Sequence, residues 1–275
     1  MAIGYLVLAL VLAATLNARG RWLRLGGTLL AAMGLFMMVY SIILADLDGT
    51  FARIPADAPL IERLTPFILN AQAVAASLAI LFLLWSAWMQ RRRPVADDLP
   101  LSNTPARFGT VSRAFHWVMA VMMLCLVPIG LFMAILPGTA PERADFVSAH
   151  QSLGLSIAVL VIGRIIWLKL SPAPAPLTTP GSAQHRGAQP VHGALYAALL
   201  AFPLSGVLIA QGGAADFYGL AVALPEWPAA AELALIAHAW VLPALFYASL
   251  AAHLGAVIKR HFAARDTSAV RRMLR

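Results

Sequence analysis

The chain has 275 residues, of which 61% are hydrophobic and only 12% charged, with a mean hydropathy of +0.79. That combination excludes an ordinary soluble domain and implies an integral membrane protein. A formal net charge of +8 invites a nucleic-acid reading, but the basic residues lie in short segments between apolar runs, where they report topology.

Apolar runs near the ~20 residues needed to cross a bilayer predict an all-α membrane protein with seven spans. They are Ala2–Leu16, Leu25–Ala45, Thr65–Met89, Ala114–Leu136, Ala149–Leu168, Val191–Ala210 and Leu233–Ile258. The first is short but lacks the basic residues that open a signal peptide, so it reads as a true span. The single cysteine, Cys125, falls inside the fourth, which excludes a disulfide framework and a thiolate metal cage.

Alternate loops of this arrangement hold Arg19, Arg21 and Arg24, then Arg91, Arg92, Arg93, Arg107 and Arg113, then Lys169 and Arg186, and finally Lys259, Arg260, Arg265, Arg271, Arg272 and Arg275. The opposite loops hold only Arg53, Arg63 and Arg143, amid most of the acids. The asymmetry predicts seven spans with the N-terminus outside and the C-terminus in the cytoplasm.

The polar, proline-bearing stretch after Arg93 divides the chain into a three-helix module (1–93), a linker (94–106) and a four-helix domain (107–275). A second proline-rich stretch, SPAPAPLTTPGSAQHRGAQP, reads as an extended or mobile cytoplasmic connector.

Imidazoles are costly in hydrocarbon, so histidines in spans point to function. Given the topology, His116 and His253 share the cytoplasmic level while His150 and His238 share the outer one. His238 and His253 are fifteen residues apart, about 22 Å along a helix and within about 60° of one face, so one helix can serve both levels. Pairs of neutral imidazoles from facing helices would hold two haem irons with both axial positions filled, an arrangement suited to electron transfer. No C-x-x-C-H motif exists, so the haems would be b-type.

Other residues admit two readings. His192 could compete for the inner haem, but reads better either as a group that hydrogen-bonds and orients a ligand or as a quinone hydrogen-bond donor, with His261 open for the same site; His185 reads as an exposed residue of a basic segment. Arg113 and Arg164 sit at cytoplasmic depth as propionate contacts or snorkelling cations. Met119, Met122, Met123 and Met133 read as packing. Gly130, Gly154, Gly163, Gly206 and Gly255 mark close approach of helices or of a porphyrin.

Residues 107–275 resemble the bacterial cytochrome b561 family, four-helix di-haem membrane proteins. The resemblance is carried by RFGTVSRAFHWVMA, GLFMAILPGTAPERADFVSAHQSLGL, VHGALYAALLAFPLSGVLIA, FYGLAVALP, HAWVLPALFYASLAAHL and RHFAARDTSAVRRML. It implies the same pairs, His116 with His253 and His150 with His238. Two departures stand out. The family usually places its last-span histidines fourteen residues apart, whereas this chain has fifteen with Pro243 between them, so a kink or bulge is expected to absorb one residue. The family also often carries paired histidines after the final ligand, where this chain has Lys259, Arg260 and His261.

The resemblance implies electron exchange with quinone, and more sharply a superoxide:ubiquinone oxidoreductase. Arg143 is the sole basic residue of the last two outer loops, between Glu142 and Asp145, so electrostatic steering of an anionic substrate is weak. The alternative is an electron-relay or anchor subunit of a larger respiratory or dehydrogenase complex, with the N-terminal helices docking the protein partner. A transporter would need paired intramembrane charges or broken helices, which the spans do not show. Membrane lipid and quinone are the expected partners, and nucleic acid is not one.

A cysteine placed at Asp57 is expected to react with an impermeant maleimide in intact spheroplasts. Labelling only after permeabilisation would overturn the topology.

Overall fold

The computed structural model describes residues 6–7, 9–11, 21–90, 100–140, 143–210, 214–224 and 227–274. The expected first span lies largely outside them, although its described residues 6–7 and 9–11 are helical. Arg91, Arg92 and Arg93 also lie outside.

In hydrocarbon every backbone N–H and C=O must be satisfied within the segment, which leaves the helix as the natural form for long apolar runs. The six remaining expected spans all fall on helices: α1 Arg21–Leu47, α2 Leu60–Gln90, α3 Thr110–Ile135, α4 Arg143–Leu170, α5 Ala183–Ile209 and α6 Pro228–Ala263. Helices α3 to α6 are each long and apolar enough to cross a membrane. A short helix α7, Ser268–Leu274, closes the described chain. Prolines lie inside α2 (Pro66), α3 (Pro128) and α5 (Pro190, Pro203), a pattern tolerated in membranes because neighbouring groups take up the released carbonyls.

The chain is not wholly helical. The FYG segment forms an antiparallel hairpin, β1 Ala214–Phe217 with β2 Leu220–Ala223, pairing Phe217 with Leu220. Its two turn residues, Tyr218 and Gly219, both have positive φ, 55° and 89°. That is the geometry of the two-residue turn which matches strand twist. Asp216 Oδ1 accepts from the Gly219 N–H at 2.7 Å and so supports the turn.

Two compact units make up the chain, one of Met1–Asp97 with His116–Leu153, the other of Asp98–Phe115 with Gly154–Arg275. In the first, α1 packs on α2 through Leu35, Val39, Ile42, Leu69 and Ala73, and Leu131, Phe132 and Ile135 at the end of α3 pack against this core. Phe132 meets Phe51 at a ring-centroid distance of 6.4 Å and Phe146 at 5.9 Å.

In the second unit, α5 packs on α6, and α3 is tied to α4 by Trp167 Nε1, which donates to Ser112 Oγ at 3.0 Å. The proline-rich connector is anchored: Ala175 N donates to Pro105 O, Asn103 N to Ser171 Oγ at 2.7 Å, and Asn103 Nδ2 to Ser171 O at 2.8 Å. The first part of the connector is thus extended, as expected, and stitched to the segment before α3, while its residues from Ala183 onward belong to α5. Ser182 caps α5 by accepting from the His185 N–H at 3.2 Å.

Candidate haem-ligand and quinone-side residues

His238 lies in a break of α6. Residues Ala237–Val241 form a π turn in which the Leu242 N–H bonds Ala237 O, five residues back. Pro243 accounts for the break: it has no N–H, and its ring clashes with the carbonyl four residues earlier, so widening the turn relieves the clash. A π turn takes in one extra residue. His238 and His253 therefore stand about fourteen α-helical steps apart, which brings them within about 40° of one face instead of about 60° on the other side. The expected bulge is present, and it contains the histidine itself.

The His238 ring is held from α5. Its Nδ1 is 2.9 Å from Ser205 Oγ, which also lies 2.8 Å from Ala201 O and 2.9 Å from Phe202 O. The serine has one proton and gives it to a carbonyl, so towards His238 it acts as the acceptor. Nδ1 then carries the ring proton and Nε2 keeps a lone pair, the state a metal-ligating histidine needs. Phe202 packs edge-on against the same ring at 5.5 Å. A β-carbon added at Gly206 would sit 3.5 Å from His238 Cε1, in ordinary van der Waals contact with the ring.

His150 has a similar seat. On the first unit's part of α3, a β-carbon added at Gly130 would stand 3.0 Å from His150 Cε1 and 3.4 Å from Nδ1, close enough to displace the ring. Thus both histidines assigned to the outer level rest on a glycine of another helix. Of the other glycines singled out, Gly163 faces the Phe115 ring at 3.4 Å, while Gly154 and Gly255 have nothing within 4 Å of an added β-carbon.

His116 is half-buried and packs edge-on with Trp117 at 5.1 Å. Arg113, one turn earlier, is only 1% exposed.

His253 is met by His192 of α5, with ring centroids 5.4 Å apart. Arg164 Nε donates to Tyr196 OH at 2.7 Å, and its charge acts on both His192 and His253. The second unit therefore gathers Arg164, Tyr196, His192 and His253 at one level. Neither Tyr196 nor Ser205 stood out in the sequence. The available signal was spacing alone, Tyr196 being one helical turn after His192 and Ser205 adjoining Gly206.

His261 lies eight residues beyond His253, in a second π turn, Lys259–Ala263, with its ring edge-on to Phe262 at 4.7 Å. Arg260 is turned towards Asp266 at 2.6 Å. His185 bonds Thr178 Oγ1 through Nδ1 at 3.3 Å, in keeping with a local role. Met119, Met122, Met123 and Cys125 are buried, as packing residues should be. Arg143 caps α3, its Nη1 donating to Met133 O and, at 3.0 Å, to Leu136 O. A cation at a helix C-terminus offsets the exposed carbonyls.

The donor set fits iron within a porphyrin. Among the described residues no three His, Cys, Asp or Glu side chains converge. A porphyrin brings four nitrogen donors of its own, so a single oriented imidazole such as His238, held at Nδ1 by Ser205, suits it.

The comparisons with known proteins agree. Residues 107–275 match the family model described as prokaryotic cytochrome b561, leaving residues 1–106 outside it. The chain is also 30% identical over 181 residues to cytochrome b561 homolog 2 of Escherichia coli (strain K12), an alignment covering 64% of this chain and 95% of that protein.

Two deletions separate the π-turn account from simple residue spacing. Removing Ala239 or Ala248 leaves the same fourteen-residue interval between the histidines. Deleting Ala239 is expected to convert the π turn to α-helix and preserve haem content. Deleting Ala248 keeps the π turn, rotates His253 by about 100°, and is expected to lose at least one haem, as measured by pyridine haemochrome per chain. Equal haem content in the two variants would refute the register argument.

Proposed function

Since the chain belongs to the prokaryotic cytochrome b561 family, it is a membrane b-type cytochrome of electron transfer, and we propose that it carries two haems b and exchanges electrons with the quinone pool. We assign His116 and His253 to the cytoplasmic haem and His150 and His238 to the outer one, in a seven-span inner-membrane chain with N-terminus outside and C-terminus in the cytoplasm. Haem held by these histidines would supply a one-electron carrier. The single observation that carries the reading is the Ser205–His238 contact at 2.9 Å, because it orients the ring and leaves Nε2 for iron.

The chain's own residues divide the remaining work. Ser205 and Gly206 set the His238 ring, and Gly130 seats that of His150. Arg113 offers charge to a propionate. Arg164, Tyr196 and His192 provide donors for a quinone carbonyl beside His253. His192 is exposed and suited to pass a proton through its ring nitrogens as the quinone is reduced. His261 is further along α6 and would serve only a quinone that reaches past His253.

Superoxide as the electron donor is a narrower reading within this function. Glu142 and Asp145 flank Arg143 and weaken electrostatic attraction of that anion, so a protein donor docking through the N-terminal helices is the alternative.

Pyridine haemochrome assay of the purified chain should give two haems b. His150→Ala or His238→Ala should remove one, and His116→Ala or His253→Ala the other. Ser205→Ala should retain both while weakening the outer haem's affinity by about 10-fold to 100-fold. One haem in the parent chain would overturn the assignment.

His192→Ala should slow quinol-driven haem reduction at least tenfold while both haem spectra persist. Unchanged quinol kinetics would move the quinone to the outer level or replace it with a protein partner. Superoxide pulses followed at the haem absorption bands would distinguish the two donors.

A further inference from the structure

Arg107, Arg271 and Arg272 line one cavity of about 450 Å³, together with Leu177, Asp266 and Thr267. Its walls come from three stretches, each adjoining the end of an apolar helix. Arg107 precedes α3, which begins at Thr110; Leu177 follows α4, which ends at Leu170; and residues 266–272 follow α6, which ends at Ala263. The ends of membrane spans are the level of lipid headgroups.

The tail is folded onto this place by specific bonds. Arg260 Nη2 donates to Leu177 O at 2.9 Å, and its Nε donates to Asp266 Oδ2 at 2.7 Å. Arg272 Nη1 donates to Ala175 O at 2.6 Å, which leaves the rest of its fork for other acceptors. Asp266 is the one acid of the wall. Ser268 and Arg260 draw its carboxyl down to about 2, so it remains ionised and its charge is answered by Arg260. Neither Arg271 nor Arg272 forms an ion pair with a described carboxylate.

We propose that this cavity binds the phosphate headgroup of an anionic phospholipid, with Arg107, Arg271 and Arg272 as the recognising residues and Leu177 against the start of the acyl region. Guanidinium forks match phosphate oxygens in pairs. Three cations facing one neutralised acid favour a lipid with net negative charge over a zwitterionic one. The leaflet concerned, the cytoplasmic one, follows from the proposed topology; the binding itself depends on neither haem nor quinone.

The test uses the full chain, delipidated in detergent and followed by native mass spectrometry with added phosphatidylglycerol or phosphatidylcholine. Phosphatidylglycerol should be retained preferentially and bind about fivefold more weakly for each arginine removed in R271Q and in R271Q/R272Q, with haem spectra unchanged. R271E provides a second variant with little risk to folding, because Arg271 is exposed. Equal retention of the two lipids, or undiminished phosphatidylglycerol binding in both R271E and R271Q/R272Q, would overturn the proposal. Displacement of the lipid by excess inorganic phosphate would assign the cavity to a free anion and overturn it as well.

Discussion

A histidine set in hydrocarbon has two nitrogens, and a metal can take only one. The other must be satisfied by the protein, because an unpaired polar atom away from water costs on the order of 1–3 kcal/mol. For His238 that demand falls on Ser205, whose hydroxyl is shared between two carbonyls of its own helix and the imidazole. Much else in the second unit follows from it. The ring can reach the serine only if α5 and α6 come close, and the ring then lies beside Gly206. The π turn at Ala237–Val241 aims the ring. These local features together place one nitrogen atom.

The N-terminal helices obey a different logic. They contain no histidine, and their packing in the first unit draws Leu131, Phe132 and Ile135 of α3 into a shared core. The additional helices are thus continuous with the domain that carries the candidate ligands, and α3 serves both. Gly130, which seats His150, lies one residue before Leu131, so one stretch of α3 supports the core on one side and the His150 ring on another.

Hydropathy made the helices legible because a bilayer permits few alternatives to a long apolar helix. What stayed hidden depended on direction rather than composition. Fifteen residues and a proline between His238 and His253 announced an irregularity, but not that the wide turn would enclose His238 itself. Ser205 looked like any small residue of a membrane helix, since its meaning arises only where α6 crosses it. Tyr196 was inconspicuous for the same reason. Arg143 looked like a free cation of an outer loop, and its capping of α3 required the chain to turn back by seven residues. The hairpin was missed because its turn relies on Tyr218 at positive φ, a conformation that tyrosine seldom adopts.

The π turn also bears on how such chains are compared. Relatives with one residue fewer between the corresponding histidines can keep the same angular placement of both rings, provided the difference is taken up at 237–241. A one-residue gap in an alignment therefore belongs inside that turn and nowhere else along α6. Aligned elsewhere, each position between the gap and the turn would be matched to a residue facing about 100° away. Lipid-facing and ring-facing positions would be exchanged in any comparison built upon it.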